Sequence, residues 1–192
     1  SYIINKFFIL FFLFFLVNSR LEAQKASTEK LDYSFGFREF ILKTPKQKYI
    51  SYEMKKSNFY RLPEIIEVYS LPYNLAIGNT KIEDVHLFFL GNQLVRVTAL
   101  LKDSLYLSYL QKSFGEGSPP EEGSIRLDKK LMDDISNGTI GFAYSPLWLW
   151  KAETVRFEQK WIYLCDEGSC VKKMCLDLYL VDFQDLMQSI LN

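Results

Sequence analysis

Histidine is almost absent from this chain: His86 is the only one among 192 residues. Ser-His-Asp and Cys-His catalysis both need an imidazole base, and the common zinc enzymes use two or three histidines. One histidine between Val85 and Leu87 therefore argues against those classes. It reads as a structural or surface residue that shares a strand face with Asp84 and Phe88. Glycine-rich phosphate loops, the metalloprotease histidine pair and the G-x-S-x-G nucleophile motif are missing as well. So is net charge: 23 basic residues face 23 acidic ones. The lysine pairs Lys55-Lys56, Lys129-Lys130 and Lys172-Lys173 are scattered and lie near acids, which leaves no basic field to attract nucleic acid. No nucleic-acid partner, no cofactor and no metal is expected.

Long apolar runs are also missing, with one exception. Phe7 to Val17 is an 11-residue apolar run, preceded by a short segment carrying Lys6 and followed by the polar stretch Asn18 to Gln24. A spanning helix needs about 20 residues, so the pattern reads as a secretory signal peptide over residues 1–23 rather than an anchor. Cleavage is expected after Ala23, with Leu21 at the −3 position; a cut after Ser19 is the alternative. No cysteine follows the run, so no lipid anchor attaches there. The expected product, residues 24–192, is secreted or periplasmic and keeps no stable membrane anchor. Losing Lys6, Arg20 and Glu22 leaves it with 21 basic and 22 acidic residues. Its length suits a single domain.

Aromatic and β-branched residues are plentiful, which favours strands. Leu31 to Leu42 reads as a strand, and Thr44-Pro45 as the start of a helix running to about Lys55. Glu64 to Ser70 and Tyr73 to Ile77 read as short strands. Ile82 to Leu90 and Gln93 to Leu101 form a hairpin around Gly91-Asn92. Asp103-Ser104 then caps a helix that Gly115 stops. Residues 115–124, rich in Gly, Pro and Glu, form a linker-like loop between possible sub-lobes 31–114 and 125–192. Leu127 to Ser136 reads as a short helix ending at Asn137-Gly138, and Thr139 to Tyr144 as a strand. Glu153 to Leu164 and Cys170 to Val181 make a second hairpin, and Asp182 caps a terminal helix. The order strand–strand–helix thus occurs twice. The expected fold class is α+β: a largely antiparallel sheet built from hairpins, with three to four helices packed on it.

Leu75-Ala-Ile-Gly-Asn-Thr-Lys-Ile-Glu-Asp-Val-His-Leu-Phe-Phe89, then Gln93-Leu-Val-Arg-Val97 and a helix ending Tyr109-Leu-Gln-Lys-Ser-Phe-Gly115, carry a resemblance. Together with Phe35-Gly36-Phe37-Arg38 and the later Trp148-Leu149-Trp150-Lys151, they make the chain similar to small exported bacterial proteins of unknown function with a hairpin–helix plan. The resemblance covers about half of the mature chain. It implies a bacterial periplasmic setting and assigns no catalytic residue.

Cys165 and Cys170 flank the second hairpin turn, and an oxidising compartment favours a cross-strand disulfide between them. Their C-x-x-x-x-C spacing on a hairpin is not that of a redox pair at a helix start. Cys175 has the opposite strand parity to Cys170 and is expected to be a buried free thiol. Tyr144, Trp148 and Trp150 are the candidate binding residues. In an extended segment the two tryptophans share a face, as a stacking platform or as core. Acid pairs such as Asp133-Asp134 and Glu121-Glu122 point apart, and Asp177 reads as a solvent-facing strand residue. The function expected is a non-catalytic exported binding or interaction domain for a protein, peptide or glycan. The alternatives are an inhibitor or immunity-type protein against a periplasmic enzyme, and a carboxylate-dependent hydrolase.

Overall fold

A computed structural model describes residues 36–37, 39–57, 62–73, 75–120, 142–166 and 169–191. Two hairpins with long strands dominate it. β1 (Gly36–Phe37) and β2 (Phe40–Ile41) form a separate two-stranded pair. The main sheet takes β3 (Lys55–Lys56), β4 (Ile66–Pro72), β5 (Ala76–Ile77), β6 (Thr80–Leu90), β7 (Gln93–Leu101), β8 (Phe142–Lys151), β9 (Val155–Asp166) and β10 (Ser169–Leu180). Its order is β3-β4-β6-β7-β10-β9-β8, with β5 against β6, and every pairing is antiparallel. Two three-stranded meanders, β4-β6-β7 and β8-β9-β10, are therefore joined through their last strands. Each meander is followed by a helix: α1 (Leu107–Phe114) and α2 (Val181–Leu191).

The described residues hold two α-helices, not the three to four expected, so the fold is a mostly antiparallel sheet rather than a helix-covered α+β layer. The helix read from Thr44-Pro45 shrinks to one 3-10 turn, Lys46–Tyr49. Its backbone is used elsewhere. Lys43 and Lys46 donate to the carbonyls of Leu94 and Asn92, and Leu94 donates to Thr44, so the segment runs extended along the start of β7. Tyr49 then closes the turn, accepting from the Ile41 N–H at its hydroxyl and donating to the Ile41 carbonyl. Within the strand read over Leu31 to Leu42, Phe37 pairs back on Phe40, so its described part is two short strands; residues 31–35 and 38 lie outside the described residues. The helix read over Leu127 to Ser136 lies outside the described residues.

Both hairpins form at the expected places, β6–β7 around Gly91-Asn92 and β9–β10 with Asp166 paired to Ser169, so the four-residue loop expected from Asp166 to Ser169 gives up its two end residues to the strands. Asp103 does not cap α1 with its side chain. Its main chain is pinned instead by Thr80, whose Oγ1 accepts from Asp103 N–H at 2.9 Å. That contact seats the β5–β6 turn under α1. Gly78 there has φ +55, and a Cβ would lie 2.8 Å from Leu105 Cδ1.

Register divides the sheet into two faces. One carries Leu87, Val97, Leu176, Phe157 and Trp150, and it packs with Leu105, Leu110 and Phe183 into a core spanning both meanders. The other carries His86, Arg96, Thr98, Asp177, Glu158 and Lys160 beside a small apolar cluster of Leu100, Ile162 and Cys175. β7 from Val97 to Leu101 and β10 from Met174 to Leu180 are buried on both faces, so strict apolar–polar alternation fails there.

Candidate functional site

The charged groups of the second face converge on Asp177, which is 0% exposed. β7 supplies Arg96 and Thr98, cross-strand partners of Tyr179 and Asp177, and β9 supplies Glu158 opposite Asp177 and Lys160 opposite Cys175. Arg96 grips the carboxylate side-on: Nε donates to Oδ1 at 2.8 Å and Nη2 lies 2.8 Å from Oδ2. Thr98 Oγ1 donates to Oδ1 at 2.8 Å. Lys160 ion-pairs with Oδ2 and also donates to Glu158 Oε2 at 2.8 Å. Tyr179 donates to Glu158 Oε1, and Phe88 backs Arg96, the guanidinium lying 4.7 Å from the ring centroid. Oδ2 of Asp177 has no well-aligned hydrogen bond, so two cations stabilise it by charge. Two cations and two anions balance.

Burial alone would raise the Asp177 pKa, yet Arg96 and Lys160 pull it down to about 2. Burial alone would lower the Lys160 ammonium, yet Asp177 and Glu158 hold it above its usual value. Burial pushes the Cys175 thiol up to about 12. Burial and then the Glu158 carboxylate push the Tyr179 phenol well above its usual range. Each shift leads away from neutrality, whereas acid–base catalysis needs a group brought toward it.

The Asp177 shift has a stability consequence. A carboxyl lowered from 3.8 to about 2 on folding stabilises the native state above pH 4, and that stability is lost as pH falls from about 4 to 2. The expected loss is about 2 kcal/mol, read from unfolding free energies in urea at pH 6 and pH 2.5. In Asp177→Asn the difference between the two free energies should shrink by that amount.

His86 is buried rather than on the surface, with Nε2 3.1 Å from Asp84 Oδ2. Asp177 departs from its reading as a solvent-facing residue: it is 0% exposed, within the stretch 174–180 of β10 that is buried on both faces. Arg96, Thr98, Glu158, Lys160 and Tyr179 were not singled out in the sequence. Their signal is Arg96 as the single charge of an apolar strand, and Glu158 and Lys160 two residues apart on one face of β9.

Trp148 and Trp150 do share a face of β8, on the core side of the sheet. Trp150 is 0% exposed and packs on Phe157 and Phe114 at centroid distances of 5.5 and 6.1 Å; Trp148 is half-buried. Both indole N–H groups are engaged by the loop after α1: Trp148 donates to Glu116 O at 2.6 Å and Trp150 to Gly115 O at 2.9 Å. The side chain of Tyr144 lies outside the described residues, as do the acid pairs Asp133-Asp134 and Glu121-Glu122. Nearby on the same face, Lys172 lies over Trp161 and Tyr163, 4.3 and 5.7 Å from their centroids.

No family model, curated protein or solved structure matches this chain.

The chemistry of the site therefore rests on its own residues. Among the described residues no group of three or more His, Cys, Asp or Glu is placed to hold a metal ion, and no helix is long and apolar enough to cross a membrane. Cys165 and Cys170 are direct register partners on β9 and β10, and their side chains lie outside the described residues. Cys175 is buried and free. Its raised pKa and burial predict no reaction with a thiol reagent in the native state at pH 8. After denaturation without reductant, one titrating thiol is the result expected if Cys165 and Cys170 are bridged, and three if they are not.

Proposed function

We propose that the chain is a non-catalytic binding domain that acts outside the cytoplasm after removal of residues 1–23. The observation that carries this reading is the charge-balanced cluster around Asp177. Its acid is held ionised and its lysine charged, and its thiol and phenol are held protonated. Such a cluster specifies packing and register, and the shifts at Asp177, Lys160, Cys175 and Tyr179 all lead away from neutral pH. The export half of the proposal rests on the Phe7–Val17 run and its flanks.

The test uses a tagged chain beginning at Gln24, incubated with extract of the compartment outside the inner membrane, with retained molecules identified by mass spectrometry. Specific retention of one molecule in unaltered form supports the proposal. Time-dependent cleavage of that molecule, abolished by Glu158→Gln in a protein of unchanged melting temperature, would overturn it in favour of a carboxylate hydrolase. Glu158 is the informative position because it is the cluster's more exposed acid, at 16% against 0% for Asp177.

A further inference from the structure

The loop after α1 is bound to the edge of the sheet as a ligand would be. Ser118 and Leu149 exchange two main-chain hydrogen bonds, each 2.8 Å, in an antiparallel bridge on the outer edge of β8. Upstream, the carbonyls of Gly115 and Glu116 accept from the indoles of Trp150 and Trp148. Between them Gly117 sits at φ +63, where a Cβ would lie 2.6 Å from Trp148 Nε1 and 2.8 Å from Trp150 Nε1. Each of these contacts reads main chain: two carbonyls taken by side-chain donors, one N–H and one carbonyl taken by a strand edge, and one position with no room for a side chain.

We propose that the outer edge of β8 around Leu149, with the Trp148 and Trp150 indoles, is a docking strip for an extended glycine-containing peptide, which the Gly115–Ser118 strap occupies in cis. The occupant is a peptide because alternating N–H and C=O groups match a strand edge and two indole donors, in the manner of strand addition. A glycan offers hydroxyls without that alternation. The strap holds on mainly through polar contacts, with Glu116 exposed and Gly115 and Gly117 both at positive φ, so it is built to be exchanged. Tethering gives it an effective concentration in the millimolar range. A free peptide therefore competes poorly until the strap is displaced. The inference deepens the binding reading, because it names the ligand class.

The indole N–H resonances of Trp148 and Trp150 in the mature chain report the strap directly. The probe is an acetylated peptide of the chain's own residues 114–119. In Gly117→Ala the added methyl should push the strap off, moving both resonances toward solvent-exposed positions and speeding their exchange. The peptide should then restore them, with an affinity at least about tenfold above that for the unaltered chain. Ser118→Pro, which removes the N–H donated to Leu149 without touching the indoles, should act in the same direction. Unmoved resonances in both folded variants overturn the proposal, as does a displaced strap that the peptide cannot replace. Loss of the cooperative fold in both variants shows the strap to be a structural element and overturns it too. None of these outcomes depends on the natural partner, so this inference can fail while the binding reading stands.

Discussion

Asp177→Ala is expected to cost the fold about 3–5 kcal/mol, because it leaves Arg96 and Lys160 facing each other in a buried site without their shared anion. A domain of this size typically has 5–15 kcal/mol of stability, so the variant should be unfolded or close to it at 37 °C. The charges matter here through their balance rather than their number. A double variant, Asp177→Leu with Arg96→Met, removes one charge of each sign and keeps the Lys160–Glu158 pair. It should recover more than half of the lost stability, since apolar replacement of a whole buried pair is often neutral. Urea denaturation of the three proteins decides the matter. A double variant as unstable as Asp177→Ala would mean that the cluster stabilises through its hydrogen bonds, those from Thr98 and Arg96 above all, rather than through compensation of charge.

The second large effect is expected at Trp150. Its indole is fully buried between Phe157 and Phe114 and anchors Gly115 by a hydrogen bond. Trp150→Ala opens a large cavity in the core and should destabilise the domain by about 3–5 kcal/mol. Trp148→Ala, at a half-buried neighbour, should cost about 1–2 kcal/mol. The contrast separates core from surface within one strand. Equal costs at the two sites would mean that the strap, which both indoles hold, stabilises more than the packing of either ring.

The hairpins were legible in the sequence because their determinants are local. Gly91-Asn92 sets a two-residue turn, and the alternation on either side of it fixes which residues face the core. The terminal helix was legible from the spacing of Phe183, Leu186, Met187 and Ile190. What failed were features decided at a distance. The Thr44-Pro45 signal for a helix start was sound locally, and it lost to main-chain pairing with Asn92 and Leu94, some fifty residues away. Alternation presumes one wet face, so it places Asp177 in solvent, whereas residues 174–180 of β10 are buried on both faces. The ion cluster needed the pairing of β7 with β10, which joins two meanders and leaves no turn between them to announce it. The Trp148–Trp150 pair stood out in the sequence, whereas the loop that grips it did not, since its contacts run through main-chain carbonyls.

That junction between β7 and β10 has a consequence for how the chain reaches its fold. Each meander closes through short turns and can form early, but Arg96 and Asp177 are 81 residues apart, and contacts of such separation form late and slowly. Docking of the two halves is then the step at which the chain can err, since two apolar strands can slide past one another. A slip of one residue would set Asp177 opposite Val97 or Ala99 and turn it to the wrong face. A slip of two would remove it from Thr98. The buried charges are satisfied only when the halves meet in the native alignment, so they penalise every slipped register of β7 against β10.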